Sequence, residues 1–217
     1  WGELLGTDGS YEKVTERLET LFGATFWTQG VQHVARAAAQ DVQPFYEQLP
    51  PPPEEEEGEL LVATIDGKGV PMRPEEPQGQ RLRLAPGEKP NKKKEAVVSA
   101  VYTIQRFRRT PDDVIREIDD QNRIVPPLPD QARPQRPRPQ NKRLRATMRG
   151  KDEAFAEVRR QLDQRDPGGT KPWIALTDGA EPLQERVLAE LAGPSGIVLI
   201  LDVMHVLTYL WWCAFAY

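Results

Sequence analysis

The apolar positions of this chain change their period along its length. Between residues 10 and 48 they recur every three or four positions: Val14, Leu18, Leu21 and Phe22, then Val31, Val34, Ala35, Ala38 and Val42. That spacing predicts two helices, the first capped by Ser10 and the second covering residues 30–48. From residue 60 onward, short continuous apolar runs take over. Residues 60–65 (LLVATI), 96–104 (AVVSAVYTI), 173–177 (WIALT) and 197–201 (IVLIL) read as strands, the last two fully buried. Asp66-Gly67-Lys68-Gly69 reads as a glycine-rich hairpin turn, with residues 70–73 returning as a partner strand. Further helices are predicted over 110–120, with a capping box of Thr110, Pro111 and Asp113. Others cover 151–164, with Phe155, Val158 and Leu162 inward, 182–191, and 203–216, a buried segment apolar almost all round.

The segments between these elements divide the chain. Residues 50–57 (PPPPEEEE) form a spacer, because proline removes hydrogen-bond donors and neighbouring glutamates repel. Residues 125–145 are rich in Pro, Arg and Gln and read as a surface insertion. The expected organisation is a helical N-terminal segment (1–49), a Pro/Glu linker (50–59) and an α/β core (60–217) that carries the insertion. Strands first, then strand and helix in alternation, is the order of a ribonuclease H-like sheet. Taken alone, the pattern supports a mixed sheet with crossover helices.

Composition narrows the chemistry. The 217 residues carry 29 basic and 33 acidic side chains, a formal charge of −4, so no global excess of positive charge marks a nucleic-acid binder. One cysteine, Cys213, excludes an intrachain disulfide and fits a reducing, cytoplasmic setting. His33, His205 and Cys213 lack the spacing of a zinc site. No signal-peptide pattern is present. The apolar stretch 196–217 approaches a membrane span in length, but Asp202 and His205 within it favour a buried strand and helix. The missing initiator Met and the abrupt aromatic end are read as those of a fragment of a longer protein.

Three of the strands end in an acid: LLVATI-Asp66-Gly, WIALT-Asp178-Gly and IVLIL-Asp202. Aspartates at the ends of neighbouring buried strands can share a hard cation such as Mg2+, and metals held so assist phosphodiester displacement. Asp-Gly is equally an ordinary turn, and a strand-end Asp often caps the next helix. Asp202 and His205, three residues apart at a strand-to-helix junction, form either a group beside the metals or a simple cap with a satisfied histidine. Lys68, Lys92, Lys93, Lys94, Arg106, Arg108 and Arg109 are candidates for phosphate contact, or else solvated loop charge.

The blocks TIDGKGVPMR (64–73), KKKEAVVSAVYTI (92–104), RTPDDVI (109–115), ALTDGAEPLQ (175–184) and LDVMHVLTYLW (201–211), in this order, resemble the bacterial insertion-sequence transposases of the ISKra type, which belong with the Mutator-like DDE enzymes. The lead-in ARAAAQDVQPFYEQLP (35–50) is also similar. The resemblance implies a ribonuclease H-like domain that cuts and joins DNA with Mg2+ or Mn2+. Asp66 and Asp178 match the first two catalytic aspartates and metal ligands, and Asp202 and His205 match the family's Cys/Asp-x-x-His signature. It further implies DNA as partner (terminal repeats and target), no membrane association, and a homo-oligomer at full length. The family's third acid, a glutamate, would lie beyond Tyr217, and Thr208 stands where the family often has Glu. Residues 1–217 alone are therefore expected to be weakly active or inactive. The alternatives are a non-catalytic DNA-binding remnant and a stand-alone ribonuclease H-like nuclease.

Overall fold

The computed structural model describes residues 9–72, 93–115 and 136–215. The chain divides into two compact units, Trp1–Pro50 and Pro51–Tyr217, close to the boundary expected from the proline run.

The first unit is a pair of helices, α1 (Tyr11–Phe22) and α2 (Thr28–Gln48). Ser10 caps α1 by accepting the Lys13 N–H at 3.4 Å. Gly23, at φ 64°, ends it in the left-handed conformation that favours glycine. Val14, Leu18 and Val31 form the buried cluster, with Tyr11 against it. The expected α2 stripe is only partly used, since Val34 and Val42 are exposed. Length explains this: α1 spans about 18 Å and α2 about 32 Å at 1.5 Å per residue, so α1 cannot cover the whole of α2.

The second unit holds a five-stranded mixed sheet flanked by helices. In chain order it comprises β1 (Leu60–Pro71), β2 (Lys93–Ile104), a short α3 (Pro111–Ile115), β3 (Gln140–Thr147), α4 (Lys151–Arg165), β4 (Trp173–Thr177), α5 (Glu181–Glu190), β5 (Val198–Leu201) and α6 (Val203–Phe215). The strand order is β3-β2-β1-β4-β5. β2 is antiparallel to both β1 and β3, whereas β4 is parallel to both β1 and β5. One face carries the core: Leu61, Ala63 and Ile65 of β1 and Trp173 and Ala175 of β4 pack under Phe155, Val158 and Leu162 of α4 and Val187 of α5. Alternation then turns Val62, Thr64 and Asp66 to the opposite face.

Four expectations need correction. Residues 66–69 are not a hairpin turn: β1 runs unbroken to Pro71, paired in register with β2 from Leu60↔Ile104 to Pro71↔Lys93. Neither Gly67 nor Gly69 has the positive φ that a hairpin turn of this kind requires. The segment 125–145 is not wholly an insertion, because Gln140–Arg145 belong to β3, which completes the antiparallel half of the sheet. Residues 125–135 lie outside the described residues, as do Arg73 and residues 116–120. β5 is an edge strand rather than a fully buried one, with Val198, Ile200 and Leu201 exposed, and only Leu199 and the preceding Ile197 pack on the core. α6 buries no residue, and Trp212 and Phe215 stand open to solvent. Among the described residues no helix is long and apolar enough to cross a membrane.

The Thr110 cap forms as expected: Asp113 accepts the Thr110 N–H at 2.9 Å and the Thr110 hydroxyl accepts the Asp113 N–H at 3.2 Å.

Candidate functional site

The strand register assembles the candidate acids. β1 and β4 pair as far as Thr64↔Leu176, so two further residues bring Asp66 level with Asp178. β4 and β5 pair as far as Thr177↔Leu201, and one further step brings Asp178 level with Asp202. The Asp202 N–H still reaches the Thr177 carbonyl, at 2.9 Å. On the other side Asp66 pairs with Val98, and Val98 with Ala146. Ala146, Val98 and Asp66 form one paired row across the sheet, and the same register carried past the last pairs of β4 and β5 would set Asp178 and Asp202 level with it. Residues paired in register share a face, and this is the face opposite the α4–α5 core.

Each acid has its own surroundings. Asp66 is exposed. Asp178 is half-buried, and its Oδ1 accepts the Ala180 N–H at 3.0 Å, closing a turn over Gly179. Gly179 has φ 94°, a left-handed conformation that favours glycine. Asp202 caps α6: Oδ1 accepts the Met204 N–H at 2.9 Å, and Oδ2 lies 3.4 Å from His205 Nδ1. The helix cap that one of the two readings of Asp202 and His205 expects is formed.

The donor chemistry suits a hard cation, since Asp66 and Asp178 offer carboxylate oxygens on one face. The number of donors falls short. Among the described residues no group of three or more His, Cys, Asp or Glu side chains is gathered to hold a metal ion. Asp202 spends one oxygen on its helix and turns the other towards His205.

The structure sorts the basic candidates. Lys68 follows Asp66 by two residues on the same face, and Lys94, opposite Val70, also lies on that face. Lys93, opposite Pro71, lies on the other face. Arg106, Arg108 and Arg109 follow Ile104, which pairs with Leu60, so they leave the sheet about 20 Å from Asp66 at about 3.3 Å per residue. Arg106 there meets Glu59 at 3.3 Å. Lys92 lies outside the described residues.

Two buried charged clusters, Glu57 with Arg165 and Asp166 with its donors, carry no role in the sequence pattern. Glu57, the last residue of the acidic run, is not spacer. Its carboxylate accepts from Arg165 Nε at 2.6 Å and also from Arg165 Nη2 and the Thr103 hydroxyl. Arg165 further donates to the carbonyls of Val101 and Asn141, both at 3.1 Å. Burial alone would raise the Glu57 pKa, but the bonds from Arg165 and Thr103 outweigh it and hold the carboxyl below its ordinary value. Gly58 must be glycine here, because a Cβ would come within 2.6 Å of the Ile104 backbone. Asp166 accepts from the Trp173 indole at 2.8 Å and from the N–H groups of Thr170 and Lys171 at 2.9 and 3.1 Å. Its pKa is also lowered, again because these bonds outweigh burial. The available signals were Glu57-Gly58 directly before a buried strand and Asp166 directly before Pro-Gly-Gly. Both groups brace the fold away from the row of acids. Comparison with models of protein families, with curated proteins and with solved structures finds no match for this chain.

Proposed function

We propose that the second unit is the catalytic core of a DNA transposase of the DDE kind, with Asp66 and Asp178 as two of the carboxylates that hold Mg2+ or Mn2+. The observation that supports this reading is the strand register, which, carried two residues past Thr64↔Leu176 and one past Thr177↔Leu201, would set Asp66, Asp178 and Asp202 level on one face. The strand order β3-β2-β1-β4-β5, with its antiparallel half followed by its parallel half, is also the order of a ribonuclease H-like sheet and supports that assignment. In this reading the exposed Asp66 offers its oxygens from the central strand, and the Ala180 N–H fixes the orientation of Asp178. Waters and phosphate oxygens of DNA would supply the remaining ligands. Metal bound there would lower the barrier to attack by a water or a 3′-hydroxyl and steady the leaving oxygen. DNA as substrate and a homo-oligomeric assembly belong to the same proposal.

The test is Mn2+ binding to residues 1–217, followed by electron paramagnetic resonance. Asp66→Asn and Asp178→Asn are each expected to weaken binding at least tenfold, with unchanged circular dichroism. Equal affinity in wild type and both variants would overturn the metal assignment. A second reading, a DNA-binding remnant without chemistry, draws on the commitment of Asp202 to its helix cap and His205. It predicts DNA binding with no Mn2+ affinity above that of Asp66→Asn.

A further inference from the structure

β1 and β2 continue as a two-stranded ribbon beyond the rest of the sheet. β4 leaves β1 at Thr64↔Leu176 and β3 leaves β2 at Val97↔Thr147, yet β1 and β2 stay paired to Pro71↔Lys93. The two faces of this ribbon differ. On one lie Gly67 and Gly69, which have no side chains, with Lys93 and Glu95 folded over them; Glu95 there meets Lys151 Nζ at 3.4 Å. On the other, starting from Asp66, lie Lys68 and then Val70 opposite Lys94. Lys68 and Lys94 are both exposed, and neither forms an ion pair among the described residues. Side chains on one face of a strand repeat about every 6.6 Å, so Asp66, Lys68 and Lys94 occupy three successive steps along the ribbon.

We infer that Lys68 and Lys94 form a phosphate clamp that guides the DNA backbone along the ribbon to Asp66. The inference rests on the reading proposed above and adds which cations position the strand and in which direction it runs. A lysine is a mobile point charge on a long stem, suited to following a backbone without reading its sequence. The clamp leaves Asp66 at its sheet-side end, where Asp178 adjoins. Lys93, on the other face, and Arg106, at the far end of β1, take no part.

The experiment is binding of fluorescein-labelled duplex DNA by residues 1–217, measured by anisotropy across a series of salt concentrations. Lys68→Ala/Lys94→Ala is expected to lower the slope of log affinity against log salt by about 2, or about 1 per phosphate contact. Affinity at low salt should fall at least tenfold. Lys68→Arg/Lys94→Arg is expected to restore both, and Lys68→Gln/Lys94→Gln to repeat the loss should the alanine protein melt early. Lys93→Ala/Arg106→Ala, which removes the same charge, should leave the slope unchanged. A wild-type slope in Lys68→Ala/Lys94→Ala, or an equal loss in the control, overturns the clamp while DNA binding itself stands. Absence of DNA binding by wild type at low salt overturns the transposase reading and the clamp with it.

Discussion

Glu57 and Arg165 meet with their side chains 2% and 1% exposed, joined to Thr103 and to two backbone carbonyls. Removing one partner strands the other charge in a desolvated site, which costs about 3–5 kcal/mol. Arg165→Met is therefore expected to lower the unfolding free energy by about that amount in urea titration. Glu57→Gln/Arg165→Met should cost less than the sum of the two single changes, because each single change leaves an unpaired group that the double one removes. The pH dependence has a definite sign. Glu57 and Asp166 titrate below their ordinary values in the folded chain. Their stabilisation is complete above the unfolded carboxylate pKa, about 4, and is lost as pH falls through the lower folded values. Acid unfolding of Glu57→Gln should accordingly show a shallower pH dependence than that of wild type. An equal slope would mean that the pair is not formed in solution.

At the scale of elements, β1 is the test of how far sequence can be read. Leu60–Ile65, Trp173–Thr177 and the inward positions of α4 were legible, because burial on one face writes a clear apolar pattern. The continuation of β1 was not. Asp-Gly-Lys-Gly carries turn residues, and only pairing with residues 93–98, distant in sequence, holds it extended. β3 was hidden for a related reason: it presents Arg143 and Arg145 to the core side, with Arg145 3.8 Å from Glu157, and leaves Leu144 exposed on the other face, so its alternation is the reverse of the usual one. Glu57 was read by the average charge of its run, although one residue of the run has a private partner. Asp178 and Asp202 were legible as strand-end residues, whereas Asp66 lies within β1, and relating the three needed the register. A cross-link decides the β1 geometry. With Cys213→Ser removing the one native cysteine, Lys68→Cys/Ala96→Cys should form a disulfide on mild oxidation. Directly paired residues have Cα atoms about 4.5–5.5 Å apart, within disulfide reach. A hairpin at 66–69 would leave the two thiols unlinked.

For the whole molecule, the two buried clusters are each closed within one unit. Residues 51–217 should then fold alone, with a single cooperative melt close to the main transition of the full chain. Residues 1–50 should be only partly helical, because three buried residues offset little of the ordering entropy of two helices. Loss of cooperativity in residues 51–217 would show that the sheet needs the helical pair. Within the sheet, the row of acids has a built-in proofreader. Side chains alternate with a period of two, so sliding β1 by one residue against β4 would carry Asp66 under α4 and take Leu61, Ala63 and Ile65 out of the core. No chain can therefore mis-thread the central strand and keep its core. The greasy side of β1 inspects the acidic side, and a molecule with misaligned carboxylates is one that has failed to fold.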